Sequence, residues 1–295
     1  HGGGINTTTI CDYITKLKLI NYKGEEVTYE GDILKQMGAH FGLLGIVTEM
    51  ELQYDPAYLA LFQPKRRSLE EYFPKTGVCE EFQKDVNESY YNEFFWFPFS
   101  DSVFINTWKR EFYQIGDEFV RHPPKVGIVE QNFMETAFQT FAQLIPGLQA
   151  TGWRGKIFAE MVATLGNKVL KEQKEVIRCP SFDALHFRHG IQNMRVLDME
   201  WCFRLEELRD EDGELVYVEY EGNKVTVPDV SLCRDLWLAC VDLNNKYDKE
   251  KQEYPQLLPM EMRIIRGSDV CMSAAHGAKF VVYIEVLTVV GNQET

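Results

Sequence analysis

Alternation of apolar and polar residues with period two opens the chain. Over Ile14–Ile20, Leu17 and Leu19 fall on one side and Lys16 and Lys18 on the other, which predicts a half-buried strand. Turn residues from Asn21 to Glu25 and renewed alternation over 26–29 predict a returning strand and hence a hairpin. The stretch 32–37 reads as a short helix capped by Asp32 and ended by Gly38. A further strand is expected over 46–54, just before Pro56. Together these elements predict a small α+β unit with a boundary near residue 60.

The segment 62–67 breaks that pattern, and 68–91 reads as a polar, helical passage opening a second domain over 61–295. Its expected strands are 93–98 and 103–109 around a turn at 99–102, then 194–196 with 199–205, a hairpin over 215–225 turning on Asn223, 260–265 and 280–288. Expected helices are 130–144, 155–170 and 231–243. Strands and helices without a regular βαβ rhythm predict an α+β domain built on an antiparallel sheet flanked by helices.

Composition narrows the partners. The chain has 295 residues, 45% hydrophobic, enough to bury one large core or two medium ones. With 45 acidic against 31 basic residues the net charge is −14, and no basic cluster stands out, so neither nucleic acid nor an anionic membrane surface is an expected partner. The longest apolar runs, such as Phe280 to Ile284, are far short of the ~20 residues of a membrane-spanning helix. Seven scattered cysteines without a close pair argue against a disulfide framework and a zinc site. His186 and His189 lack nearby ligand partners, so no metal is expected. Sequons at Asn6 and Asn87 leave the compartment open. The start at His1-Gly2-Gly3-Gly4 reads as the middle of a longer protein.

Two glycine-bearing segments are candidate binding loops: His1-Gly2-Gly3-Gly4, and Gly38-Ala39-His40-Phe41-Gly42-Leu43-Leu44-Gly45-Ile46-Val47. Glycine lets backbone N–H groups approach a phosphate or a flat ring, and two tight turns bracketing a sheet would also explain them. With the intervening Lys-Gly turn and the strand ending in Asp-Pro, these motifs resemble the later part of the FAD-binding domain in oxidases of the vanillyl-alcohol-oxidase type, also called the PCMH type, nearest the sugar-lactone and sterol oxidases. The resemblance implies that residues 1–60 are the C-terminal part of that FAD-binding domain and that 61–295 form its substrate, or cap, domain. It implies FAD contacts at Gly2, Gly3, Gly4, Gly42, Gly45, Ile46 and Val47. The family's earlier phosphate-binding loop and flavin-linking histidine have no counterpart, so an N-terminal remainder of the same protein is an expected partner.

A second constellation is Met260-Glu261-Met262-Arg263-Ile264-Ile265-Arg266. On a strand Glu261 and Arg263 share one face, roughly 7 Å apart. They could be a surface ion pair, but the flanking residues are strongly apolar. An arginine in such a place can stabilise negative charge developing on a flavin or a substrate oxygen. The pair resembles the Glu-x-Arg of aldonolactone and FAD-linked sterol oxidases. By that resemblance Arg263 positions and polarises substrate or flavin, and Glu261 orients it or accepts a hydroxyl proton. Such a functional pair would carry little of the fold's stability.

The run Glu93 to Asp101 with Asn106 and Trp108 is similar to an aromatic hairpin of the same substrate domain, which makes Trp96 and Asn106 candidate substrate contacts, and Arg266-Gly267-Ser268-Asp269 resembles the lactone-oxidase continuation of the Glu-x-Arg motif, which adds Arg266. Most of these aromatics are expected in the core. Glu200, on a strand resembling one near the active site, is a further catalytic candidate. The reading implied is an FAD-dependent oxidase of a secondary alcohol in a sugar lactone or polyol, with O2 as acceptor. Alternatives are a sterol or hydrophobic-alcohol oxidase and a flavin-fold subunit without catalysis. The family's closing motif is absent, and 144–167 matches none of its motifs.

Overall fold

The computed structural model describes residues 3–119, 153–170, 172–184 and 196–289. The helix expected over 130–144, the start of the strand expected at 194, and His1, Gly2, His186 and His189 lie outside the described residues.

The N-terminal unit contains β1 (Ile14–Ile20), β2 (Glu26–Glu30), a short α1 (Leu34–Met37) and β3 (Ile46–Leu52). The strands pair antiparallel in the order β2-β1-β3. One face of β1 buries Leu17 and Leu19 against Leu34, Val27, Tyr29, Leu44 and Leu52. On its other face Lys16 reaches Glu30 and Glu51 at 3.6 and 3.3 Å, and Lys18 reaches Glu26 and Glu49 at 3.7 and 3.6 Å. The alternation read from the sequence is therefore the pleat itself, with opposite charges facing across the ladder. Asp32 does not cap α1, because it lies inside a 3-10 turn over Gly31–Ile33, and Ile33 takes the capping position without a side-chain bond.

The larger sheet has eight strands, all antiparallel. Its strands are β4 (Tyr58–Phe62), β5 (Lys65–Ser68), β6 (Tyr91–Trp96), β7 (Ser102–Phe112), β8 (Ile177–Pro180), β9 (Val196–Leu205), β12 (Met260–Arg266) and β13 (Phe280–Val289). They run in the order β8-β4-β7-β6-β12-β13-β9, with β5 paired to β7. Within the expected pattern break at 62–67, Gln63 and Pro64 separate β4 from β5, and β4 straddles the division expected near residue 60. The long helix expected over 68–91 is instead α2 (Leu69–Tyr72) and α3 (Glu80–Glu88). Phe73, Pro74 and Gly77 separate them, and a proline ends a helix at the residue before it.

A separate hairpin pairs β10 (Tyr217–Tyr220) with β11 (Asn223–Thr226). Further helices are α4 (Trp153–Val169), α5 (Ser181–Ala184) and α6 (Ser231–Lys251). Helix α6 runs past the end expected near 243, because Asn244 is buried and its amide donates to the Cys240 carbonyl and to Gln256 Oε1. One face of the large sheet carries Phe94, Trp96, Ile105, Met260, Met262, Ile264, Val282 and Ile284, packed on Phe82 and Val86 of α3 and Cys233, Trp237 and Val241 of α6. This is the main core, and it assigns the opposite face of β6, β7, β12 and β13 to other work. The whole is the α+β architecture read from the sequence.

Candidate active site

Because strands alternate, fixing Met260, Met262 and Ile264 in the core turns Glu261 and Arg263 to the other face. The register does the rest. Glu261 lies opposite Phe95 on β6 and Glu285 on β13. Glu285 lies opposite Glu200 on β9, and Glu93 lies opposite Asn106 on β7. The odd-numbered positions of β6 and β12 therefore put one guanidinium among several carboxylates.

Arg263 donates through Nε to Oε1 of Glu261. Its Nε is also 3.6 Å from Glu93 Oε1, and its Nη2 is 3.4 Å from Glu285 Oε2. Glu93 is completely buried and accepts hydrogen bonds from the Tyr91 hydroxyl at 3.1 Å and the Asn106 amide at 2.9 Å. Burial opposes the charge on Arg263, but Glu261 and Glu93 outweigh it and hold its pKa above the ordinary value. Arg263 keeps its charge, yet one guanidinium cannot compensate two buried carboxylates, Glu93 and Glu261, and the half-buried Glu285. Burial and then the Glu93 charge push Glu261 well above the carboxylate range, against the pull of Arg263. Burial and then Glu261 push Glu285 up to about 8. Glu200 is shifted upward too, chiefly by burial. Glu261 and Glu285 are thus the members of the cluster biased toward the protonated form.

Arg263 and Glu93 look into a cavity of about 590 Å³ between the large sheet and the N-terminal unit, walled by Gly3, Thr7, Thr8, Tyr13, Tyr58, Tyr90 and Tyr91. The N-terminal segment is laced to the sheet: Asn92 N–H donates to the Gly3 carbonyl at 3.0 Å, and Arg266 N–H donates to the Thr7 carbonyl at 2.9 Å. At Gly4 a Cβ would come within 2.7 Å of the Tyr90 carbonyl, so this glycine is required by chain packing. At the same cavity's rim Arg110 of β7 pairs with Asp55 and Glu221 at 2.7 and 2.5 Å and lies 4.4 Å from the Tyr90 ring centroid. Asp55 and Tyr90 line the cavity as well.

Of the residues singled out in the sequence, the structure brings together Glu261, Arg263, Asn106 and, at the margin, Glu200. It does not bring Trp96 or Arg266 to them. Trp96 is buried in the main core on the reverse face, its indole N–H donating to the Ser100 carbonyl. Arg266 follows the parity of Met262 and Ile264 and lines a different cavity. Gly3 borders the large cavity. Gly42 is exposed with open space around it, and Ile46 and Val47 are exposed on β3. Gly45 has φ +143°, and a Cβ there would meet the Ile20 carbonyl oxygen at 2.1 Å. Its close approach is therefore to β1 of its own sheet.

Sequence reasoning missed Glu93, Tyr91 and Glu285. The signal available was a lone acid inside an otherwise apolar strand: Glu93 before Phe94-Phe95-Trp96, and Glu285 after Phe280-Val281-Val282-Tyr283-Ile284. A buried carboxylate without an apolar role is uncommon enough to mark a site.

No family model matches the chain. Over 111 residues it is 28% identical to an L-gulono-1,4-lactone dehydrogenase of Mycobacterium tuberculosis, covering 37% of this chain and 24% of the relative. In three dimensions it is similar to a His121Ala variant of cholesterol oxidase from Brevibacterium sterolicum, at TM-score 0.61 and 17% identity, over 99% of this chain and 56% of the other. A solvent-stable cholesterol oxidase gives TM-score 0.65 at 16% identity, over 99% and 57%. The chain thus spans about a quarter of the curated relative and a little over half of these structural ones. Its sequence thus resembles the lactone dehydrogenase over part of the chain, and its α+β fold is that of the cholesterol oxidases.

Proposed function

We propose that this chain is the substrate-facing part of an FAD-dependent oxidoreductase that oxidises a secondary alcohol, in a sugar lactone or polyol, with O2 as acceptor. The observation that carries this is Arg263, a charged guanidinium held by buried carboxylates on the floor of a cavity walled by tyrosines. Tyr58, Tyr90 and Tyr91 would hold a flat ring in such a cavity, and the Arg263 guanidinium would supply positive charge to it. The flavin, when bound, supplies the hydride acceptor.

The chain's own residues divide the remaining work. Arg263 stabilises developing negative charge in a water-poor place. Glu93 lines the cavity while Glu261 does not, so Glu93 is the better acceptor for the substrate hydroxyl proton. Tyr91 and Asn106 fix the Glu93 carboxylate by donating to its two oxygens. Glu261 holds the Arg263 Nε and so orients the guanidinium, while Glu285 and Glu200 tune the charge around it. Gly3 and Gly4, and the exposed turn through Gly42 and Gly45 to Ile46 and Val47, would follow the rest of the dinucleotide, completed by an N-terminal remainder of the protein.

The test is the full-length protein containing this chain. A flavin absorbance spectrum that bleaches anaerobically with L-gulono-1,4-lactone is the expected result. Bleaching with cholesterol alone would move the substrate to the sterol class. A colourless full-length protein would support a flavin-fold subunit without catalysis and would overturn the proposal.

A further inference from the structure

A second cavity, of about 360 Å³, opens on the reverse face of the large sheet, where the β10–β11 hairpin and Ile5 and Asn6 meet the end of β12. Three of its lining residues are cationic, Lys224, Arg266 and Lys279, against the single carboxylate of Glu207. In a chain of net charge −14, many other described cations sit on carboxylates, as Lys16, Lys18, Lys65, Arg67, Lys109 and Arg110 do. Among the described residues none of these three makes an ion pair. Lys224 instead places its ammonium 4.5 Å from the ring centroid of Tyr217, which also lines the cavity.

The wall carries a second, independent sign. The side-chain amide nitrogen of Asn6 and the hydroxyl of Thr226 are buried without any hydrogen-bond partner among the described residues. A buried donor left without a partner is costly, and both residues line the same cavity as the cations. Clustered unpaired cations repel one another even where they are exposed, as Lys224, Arg266 and Lys279 are, and a bound anion would relieve that repulsion. Arginine with lysine and neutral donors is the set that recognises a phosphate-type oxyanion, by a planar fork plus point charges.

We infer that this cavity is a binding site for a small phosphate-type dianion, with Arg266 and Lys279 as its charged contacts and Asn6 Nδ2 and the Thr226 hydroxyl as its neutral donors. The site is separate from the flavin reading, since Arg266 faces away from Arg263 by strand parity, and it stands or falls without it. Glu207 lies in the same cavity and opposes anion binding, which gives the site a sign that packing alone would not have.

The experiment is isothermal titration of the full chain with inorganic phosphate at low ionic strength and pH 8, with sodium chloride as control and ADP as a parallel probe. Saturable one-site phosphate binding is expected. The double substitution Arg266→Gln, Lys279→Gln should weaken it by about tenfold or more, the scale of losing charged hydrogen bonds. Thr226→Val should weaken it less, and Glu207→Gln should tighten it. A gain of affinity cannot come from misfolding, so the last variant keeps the test decisive even if the double variant melts early. No saturable heat, equal binding in the double variant, no tightening with Glu207→Gln, or binding of ADP without phosphate would each overturn the inference.

Discussion

Asn106 on β7 donates its side-chain amide to Oε2 of Glu93 on β6 at 2.9 Å, across a register in which the two residues face each other. The second oxygen of the same carboxylate receives the Tyr91 hydroxyl. A carboxylate with no exposure is held in place by neutral donors first and by Arg263, at 3.6 Å, second. Replacing Asn106 by Ala removes one of these donors and leaves a buried oxygen unsatisfied. A loss of about 1–3 kcal/mol of stability is expected, read by urea unfolding, together with a lower kcat/KM at unchanged flavin content. A variant matching the parent in both would remove Asn106 from the site.

Arg263→Ala should slow flavin reduction by about 100- to 1000-fold in the full-length protein, the scale of losing one fixed electrostatic donor. The sequence alone suggested that this pair carries little stability. The structure argues the reverse, because Arg263 is the counter-charge for Glu93, Glu261 and Glu285. Removing one partner of a buried charged set costs about 3–5 kcal/mol. Arg263→Lys keeps the charge without the planar fork, so it should recover most of the stability and little of the rate. Equal loss of rate and stability in both variants would contradict this division.

Glu285 gives a pH dependence whose sign is opposite to that of an ordinary salt-bridged acid. Its folded pKa is pushed up to about 8 by burial and then by Glu261. Between the unfolded carboxylate value and about 8 the folded state therefore binds more protons than the unfolded one, and stability falls as pH rises through that window. Glu285→Gln cannot lose a proton and should flatten this part of the melting temperature profile, with its largest relative gain above pH 8. A parent profile already flat from pH 5 to 8 would sink the idea.

Gly45 tests the binding turn. At φ +143° with the Ile20 carbonyl in the way of any Cβ, Gly45→Ala strains the β1–β3 pairing and should cost about 1–3 kcal/mol. The damage is expected in the N-terminal unit, as faster proteolytic cleavage around β3 in the chain alone. Loss of flavin from the full-length variant would then follow from the sheet and would not by itself mark a contact. An uncleaved, equally stable variant would be inconsistent with the observed backbone.

What the sequence by itself determined is what depends on neighbours along the chain. The alternation of Leu17 and Leu19 with Lys16 and Lys18 specifies β1 and its two faces. The spacing of Glu261 and Arg263 puts them on one side of β12, since a strand repeats every two residues whatever it pairs with. Which side of the sheet that is, and what stands there, depends on pairing partners distant in sequence. Glu93 reaches Arg263 only because β6 pairs with β12, and Glu285 only because β13 does. The same parity that buries Met262 and Ile264 sends Arg266 to the reverse face, away from the pair it follows. Register between strands is set by the packing of both faces at once. Only the folded sheet could decide that one guanidinium would answer for several buried carboxylates, and that Trp96 would be core.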